Sequence, residues 1–432
     1  MTATRTSARG TTATLPMEAL AKEVIAGRCV AFVGAGFSAP VCRLWHALLA
    51  AVATEVKSSE VRAHVEALLA EKSARAYEMA AQILEDAFKN SPTDDLLQAL
   101  RRHTRRSDVS SADQQRMDRR RTLLTEIPFA AILTTNFDDE LKGEVLDGST
   151  YATLLRDAGS RWVERRFWER SSRVLKLHGD LRRGTGVTLS RRGYRTRLYS
   201  EPGYLHVLRS VLLTKTVLFL GFSFTDEYLN ELRSEVLAYL APEGKTPRYA
   251  YALLEDVPPA MLAHFRDHEA MHVFGYGVPG DHEHRGFDEF LAALHARTNP
   301  AAIMGRRLEK RRILWVDPST DRNARGRKYL EDATRRLCTI ELARTPDEAL
   351  ALLTTGETYD LVITRWGHHP QRPADGETLL QQMRQRDARV PVVVFASGDH
   401  AGENREAALR LGALEYTFEW DALYAVIDRR FA

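Results

Sequence analysis

The stretch Cys29-Val30-Ala31-Phe32-Val33-Gly34-Ala35-Gly36-Phe37-Ser38 decides the fold of the first part of the chain. Five apolar residues in a row, without polar alternation, read as a strand covered on both faces, which is the pattern of a parallel sheet flanked by helices. The glycines then make a turn with little side-chain bulk, where a pyrophosphate could approach main-chain N–H groups at a helix start. The dinucleotide fingerprint asks for a small residue three positions after the second glycine, and Ala39 stands there. The same turn would also serve a strand end that binds nothing.

On the N-terminal side, residues 1–16 carry Thr, Ser, Ala and Arg without an apolar period, which predicts a mobile tail. On the C-terminal side, apolar residues recur at helical spacing through about 45–124, a helical insertion, and strand-like runs resume at Ala131–Thr134, Val174–Leu177, Val217–Leu220 and Tyr249–Leu254. A helix through Phe287, Phe290, Leu291 and Leu294 closes this domain, expected over 17–298. A basic linker is expected over 299–311. Beyond it, strands Ile313–Val316, Leu361–Ile363 and Val392–Phe395 alternate with helical stretches, which predicts a smaller flavodoxin-like doubly wound domain over 312–432. The fold class expected is therefore α/β, a Rossmann-like parallel sheet with a helical insertion followed by a second α/β domain.

The length, 432 residues, is about three times a typical domain of ~150 residues. No apolar run approaches the ~20 residues of a spanning helix, so a cytoplasmic protein without a membrane partner is expected. Cys29, Cys42 and Cys338 contain no Cys-x-x-Cys pair, so neither a disulfide framework nor a zinc site is expected. With 61 Lys and Arg against 58 Asp and Glu, the charge of +3 demands no nucleic-acid partner. The arginines between Arg101 and Arg121 are interspersed with Asp108, Asp113 and Asp118 and read as a solvated helix face.

Four strand ends carry groups with chemistry. After Gly34-Ala35-Gly36 comes Thr134-Thr135-Asn136-Phe137-Asp138, whose Asn136 could hold a ribose hydroxyl or a water, while Asp138 could equally cap a following helix. Lys176-Leu177-His178-Gly179-Asp180 offers a histidine able to act as general base, with Gly179 leaving space beside it. In Gly221-Phe222-Ser223-Phe224-Thr225-Asp226, Ser223 and Asp226 fit a helix start. In an open parallel sheet all four ends would gather at one edge.

In this order, and together with Val187–Tyr194, these segments resemble the sirtuin-like NAD-consuming family, in particular its bacterial antiphage NAD hydrolase branch, over roughly Leu15 to Thr298. The resemblance implies NAD as substrate, with Gly34, Ala35, Gly36 and Ser38 on the phosphates, Thr135 and Asp138 beside them, Gly221 and Ser223 on the adenosine side, Asn136 positioning the water or nicotinamide ribose, and His178 as base. Sirtuin deacetylases carry a four-cysteine zinc module, for which this chain lacks the cysteines. The activity implied is an NAD glycohydrolase used in abortive infection. The alternatives are a non-catalytic NAD or ADP-ribose sensor, or an NAD-dependent deacylase or ADP-ribosyltransferase.

The segment after residue 312 resembles response-regulator receivers in Ile313–Asp317, Tyr359–Ile363 and Gly412–Tyr416. Arg365, or Thr364 one register away, occupies the phosphoacceptor position, and no Lys follows Tyr416; Asp317 and Ser397 alone cannot perform phosphotransfer. A pseudo-receiver is expected, through which an activating ligand or protein acts, in a chain that forms a homo-oligomer.

Overall fold

Strand β1 (Cys29–Val33) is buried along its whole length, and its side chains divide by parity. Val30 and Phe32 enter one core with Leu133, Leu175, Val217, Phe219 and the helices Pro202–Thr214 and Glu227–Leu240. Cys29, Ala31 and Val33 enter a second core with Ile132, Leu218, Leu220 and the helix Arg285–Thr298. Alternate residues of a strand point to opposite faces, so an uninterrupted apolar run is what a strand covered on both sides requires. Phe32 and Phe219, each at most 2% exposed, meet at 5.5 Å between ring centroids, and burying each contributes roughly 1.5–3 kcal/mol.

The computed structural model describes residues 11–89, 95–146, 173–184, 187–224, 227–240, 250–277, 285–318, 323–334, 337–355, 358–367, 375–386, 388–396 and 401–431. Two compact units part between Thr298 and Asn299. In the first, β1 is joined by β2 (Ile132–Thr134), β3 (Glu144–Val145), β4 (Val174–Lys176), β5 (Thr216–Leu220), β6 (Ala250–Glu255) and β7 (Met271–Tyr276). The sheet order is β3-β4-β2-β1-β5-β6-β7, with parallel pairing throughout. Without the two-residue edge strand β3, this is the 3-2-1-4-5-6 order of the dinucleotide-binding sheet, and the order reverses between β1 and β5.

Three expectations are corrected. Helix α1 begins at Thr11 and runs to Ile25, so residues 11–16 belong to a helix that buries Leu20 and Val24 rather than to a tail; residues 1–10 lie outside the described residues. The insertion has its own core, from Leu48 to Leu100 with Leu181 and Leu189, built on α2 (Trp45–Ala53), α3 (Ser59–Ala70), α4 (Ala74–Lys89) and α5 (Leu96–Thr104). Helix α6 (Ser111–Glu126) instead places Met117 and Leu124 in the sheet's second core. The expected linker is largely a helix, Pro300–Leu308, started by Asn299 as its cap and burying Met304 and Leu308 in the second unit.

In the second unit the strands are β8 (Arg312–Val316), β9 (Thr339–Ala343), β10 (Leu361–Thr364), β11 (Val392–Phe395) and β12 (Glu415–Thr417). Their order, β12-β11-β10-β8-β9, all parallel, is the flavodoxin-like 2-1-3-4-5. Ile313 and Trp315 face one core, and Leu314 and Val316 the other. Among the described residues no helix is long and apolar enough to cross a membrane.

Candidate active site

Strands β4, β2, β1 and β5 are neighbours in the sheet, so the four segments singled out in the sequence meet at its carboxyl edge. They open on a cleft of about 830 Å³ lined by Gly34, Ala35, Gly36, Thr135, Asn136, Asp138, His178, Gly221 and Ser223, within the range of small-molecule sites. The insertion supplies Trp45, His46 and Tyr77 to the opposite wall, and the end of β6 supplies Glu255 and Asp256. The cleft lies at the point where the strand order reverses, the place where open α/β sheets bind ligands.

The glycines do something other than expose free N–H groups. Gly34 N–H donates to the Leu220 carbonyl and Gly36 N–H to the Gly221 carbonyl, both at 2.9 Å. The turn continues as a short 3₁₀ segment, Ala35–Phe37, rather than as an α-helix. A Cβ on Gly34 would lie 2.6 Å from the Gly221 carbonyl oxygen, and one on Gly221, where φ is +61°, would lie 2.3 Å from the Phe37 nitrogen. The absent side chains let the loops after β1 and β5 pack backbone against backbone, and that pairing forms the floor of the cleft.

Asn136 sits on this floor, 6% exposed. Its Nδ2 donates to the Gly34 carbonyl at 3.1 Å and to Ser38 Oγ at 3.2 Å, while its own N–H is held by Thr134 Oγ1 at 3.0 Å. A carbonyl only accepts, so the amide orientation is fixed by chemistry, and Oδ1 is left to accept a hydrogen bond from the cleft. Ser38, expected against the phosphates, is fully buried; its hydroxyl donates to the Asp138 carboxylate, so it acts on Asn136 from beneath. Asp138 caps no helix. It accepts the Glu140 N–H at 2.9 Å, and burial raises its pKa against the opposing pull of that N–H, Lys176 and Ser38.

His178, at the end of β4, is 8% exposed. Tyr194 Oη stands 2.8 Å from its Nε2 and 3.1 Å from its Nδ1, with the rings edge to face at 4.8 Å. Burial, with Arg197 adding to it, draws the imidazole down to about 3, so the ring is neutral at physiological pH and able to accept a proton. Ser223 is exposed at the rim, and its expected helix-start partner Asp226 lies outside the described residues.

In the second unit Thr364 ends β10, 1% exposed, with its Oγ1 donating to the Arg365 carbonyl at 3.1 Å. Arg365 follows immediately. Asp317, after the neighbouring β8, receives Asn323 Nδ2 at 2.7 Å. After β12 stands Glu419, whose N–H donates to Thr417 Oγ1 at 3.2 Å. Ser397 lies outside the described residues. Among those described, no group of three or more His, Cys, Asp or Glu could hold a metal ion.

Residues 130–274 match the model of the SIR2-like domain family. The chain carries a SIR2-like domain. Stretches of the chain are similar to proteins called NAD(+) hydrolase ThsA: 37% identical over 79 residues in Enterococcus faecium, 26% over 141 residues in Cytobacillus dafuensis and 27% over 117 residues in Bacillus cereus. These matches cover 18%, 32% and 26% of this chain and span 16%, 27% and 24% of the relatives' own lengths. Among solved structures, the chain is similar to the receiver domain of a Francisella response regulator, at 22% identity and a TM-score of 0.24, covering 28% of this chain and 96% of that one. The receiver domain of NtrX from Brucella abortus is 24% identical, also with a TM-score of 0.24, covering 28% and 97%.

The matched region begins after α6 and leaves out the glycine-rich turn Gly34–Gly36, which depends on that helix. Arg120, read in the sequence as part of a solvated face, is 1% exposed. Its Nη1 donates to the Phe37 carbonyl at 3.1 Å and reaches the Gly36 carbonyl at 3.5 Å, its Nε donates to Asp288 at 2.5 Å, and its plane lies 4.4 Å over the Phe287 ring. Its neighbours Arg106 and Arg121 are paired with carboxylates. Tyr194 falls in the segment Val187–Tyr194, which by itself assigns it no role, and the cleft residues Tyr77, Glu255 and Asp256 carry no mark in the sequence. For Tyr194 a local signal exists as well: Ser190 caps the helix Arg191–Ser200, which fixes where its first turn falls.

Proposed function

We propose that the SIR2-like domain is an NAD glycohydrolase, cleaving NAD to nicotinamide and ADP-ribose, and that the chain is an antiphage, abortive-infection effector. The observation that carries this reading is Asn136, whose amide is held from two sides so that Oδ1 is left facing a cleft of dinucleotide-binding topology. Loss of neutral nicotinamide from the cationic pyridinium leaves positive charge at C1′ of the ribose. A fixed carbonyl oxygen there favours that charge and can accept from a ribose hydroxyl or the attacking water. His178, neutral and within the same cleft, takes the proton that the water loses on adding to C1′. The relatives named NAD(+) hydrolase support the same chemistry.

Incubation of the purified chain with NAD, with free nicotinamide as the readout, tests the reading. Asn136→Ala and His178→Ala should each lower the rate by about 10²-fold or more while the fold persists. The alternative is an NAD or ADP-ribose sensor without turnover, which binding without nicotinamide release would support. Restraint is assigned to the second unit, through a ligand or protein that it binds or through self-association. Truncation after Thr298, which keeps the helix Pro300–Leu308 out of the fragment, should change the nicotinamide output or the sedimentation of the chain.

A further inference from the structure

The loop that leaves β4 turns back onto it. Thr188 N–H donates to the His178 carbonyl at 3.1 Å, and two residues later Ser190 Oγ accepts the Gly193 N–H at 3.2 Å, starting the helix Arg191–Ser200. Its fourth residue, Tyr194, is thereby brought over the imidazole. Among the described residues the Tyr194 hydroxyl is the polar side-chain group at hydrogen-bond distance of the ring, and it lies against both nitrogens at once. Arg197, one turn further along that helix, is the charge the ring feels; among the described residues no carboxylate is bonded to the His178 ring to stabilise an imidazolium.

An edge-to-face aromatic pair with its polar atoms satisfied is ordinary core packing. This pair, however, is not in a core. Both residues line the main cleft, and both also line a smaller cavity of about 200 Å³ whose charged groups are Arg209, Glu231 and Glu235. His178 and Tyr194 therefore form a partition between two open spaces, with the hydroxyl within 3.1 Å of both imidazole nitrogens.

We propose that Tyr194 is a catalytic residue, the group through which His178 exchanges a proton with the cleft. This rests on the hydrolase reading of the same site. In the step, the C1′–N bond to nicotinamide breaks with its electron pair leaving on the nicotinamide nitrogen, and water forms the new C1′–O bond. The water's proton passes to Tyr194 Oη as the tyrosine passes its own proton to a His178 nitrogen. The tyrosine is restored and the imidazole becomes imidazolium, which returns the proton to solvent by the same route. The balance is NAD⁺ and water giving nicotinamide, ADP-ribose and one proton. A weakly basic imidazole suits this role, because the water adding to a cationic carbon is itself acidic.

Full-length wild type, Tyr194→Phe and His178→Ala are compared for nicotinamide release, ADP-ribose binding by calorimetry and thermal melting. Tyr194→Phe should melt and bind ADP-ribose like wild type, within about twofold, yet lose on the order of 10² in kcat. The acid limb of its kcat profile should rise in pH, since a hydroxyl donating to the ring favours the neutral form. As a second variant, Tyr194→3-fluorotyrosine keeps the shape and makes the phenol more acidic, so the alkaline limb should move down in pH. Wild-type kcat with an unchanged acid limb in Tyr194→Phe would overturn the proposal, as would an alkaline limb indifferent to fluorination. A wild type that binds ADP-ribose but releases no nicotinamide removes the hydrolase reading, and the relay with it; a relay failure alone leaves wild type and His178→Ala differing as before.

Discussion

Gly221→Ala should be among the most damaging single-methyl changes in the first unit, and Gly27→Ala supplies its control. Both glycines have positive φ, +61° and +67°. An L-residue there costs roughly 1–2 kcal/mol from the contact of its own Cβ with the backbone. Around Gly27 nothing lies within 4 Å of the new atom, whereas at Gly221 it meets Phe37 N at 2.3 Å and Gly36 C at 2.7 Å. Those are backbone atoms of the paired loop, so no rotamer can relieve the overlap. The loops must part by about 1 Å, which also weakens the Gly36-to-Gly221 hydrogen bond, worth about 1 kcal/mol net. The expected totals are ~1–2 kcal/mol at Gly27 and at least ~2–3 kcal/mol at Gly221. At roughly 2–4 °C per kcal/mol, these correspond to about 4 °C and about 8 °C in the melting of the first unit. Calorimetric scans of the two variants and wild type measure this directly, and titration with ADP-ribose should show at least about tenfold weaker binding for Gly221→Ala only. Equal melting temperatures for the two variants, or wild-type binding by Gly221→Ala, would refute the account of the glycines as a loop-pairing device.

Two further outcomes follow from the same geometry. His178 is neutral in the folded chain down to about pH 3 and protonates near 6.5 when unfolded, so the unfolded state binds more protons between these values and stability is lost as pH falls through that window. At about 1.4 kcal/mol per pH unit, His178→Gln should gain about 3 kcal/mol relative to wild type between pH 7 and 4; a difference in melting temperature that stays constant with pH would contradict this. Acetyl phosphate should leave the second unit unmodified, because a guanidinium at position 365 has no nucleophilic lone pair, and intact-mass spectrometry showing a stoichiometric phosphoryl group mapped between Asp360 and Gly367 would reverse that expectation.

Much of the sheet is legible in the sequence because a strand buried on both faces leaves an uninterrupted apolar run, as in β1, β5, β10 and β11. The strands that escape reading lack that run. β9 is an edge strand whose Thr339 and Leu342 are exposed, and β7 mixes His272 and Gly275 among apolar residues. The site divides in the same way. Asn136, His178 and the glycines announce themselves by chemical type at strand ends. The inward role of Ser38 depends on Asn136, 98 residues away, and nothing in the local pattern distinguishes Arg120 from the paired arginines of the same helix. Periodicity reports which face of an element is buried; it does not report which polar side chain has been taken into that face.

Arg120 joins α6 to the helix Arg285–Thr298 across 168 residues, and the same guanidinium holds the carbonyls of the glycine-rich turn. The turn's geometry is therefore completed by the last helix of the unit. A nascent chain that has not yet emerged past Asp288 has the turn, Asn136 and His178 but not the carboxylate that neutralises the buried cation beneath them. Competence of the cleft is in this sense a late event in synthesis, tied to completion of the whole unit rather than to the strands that display its chemistry.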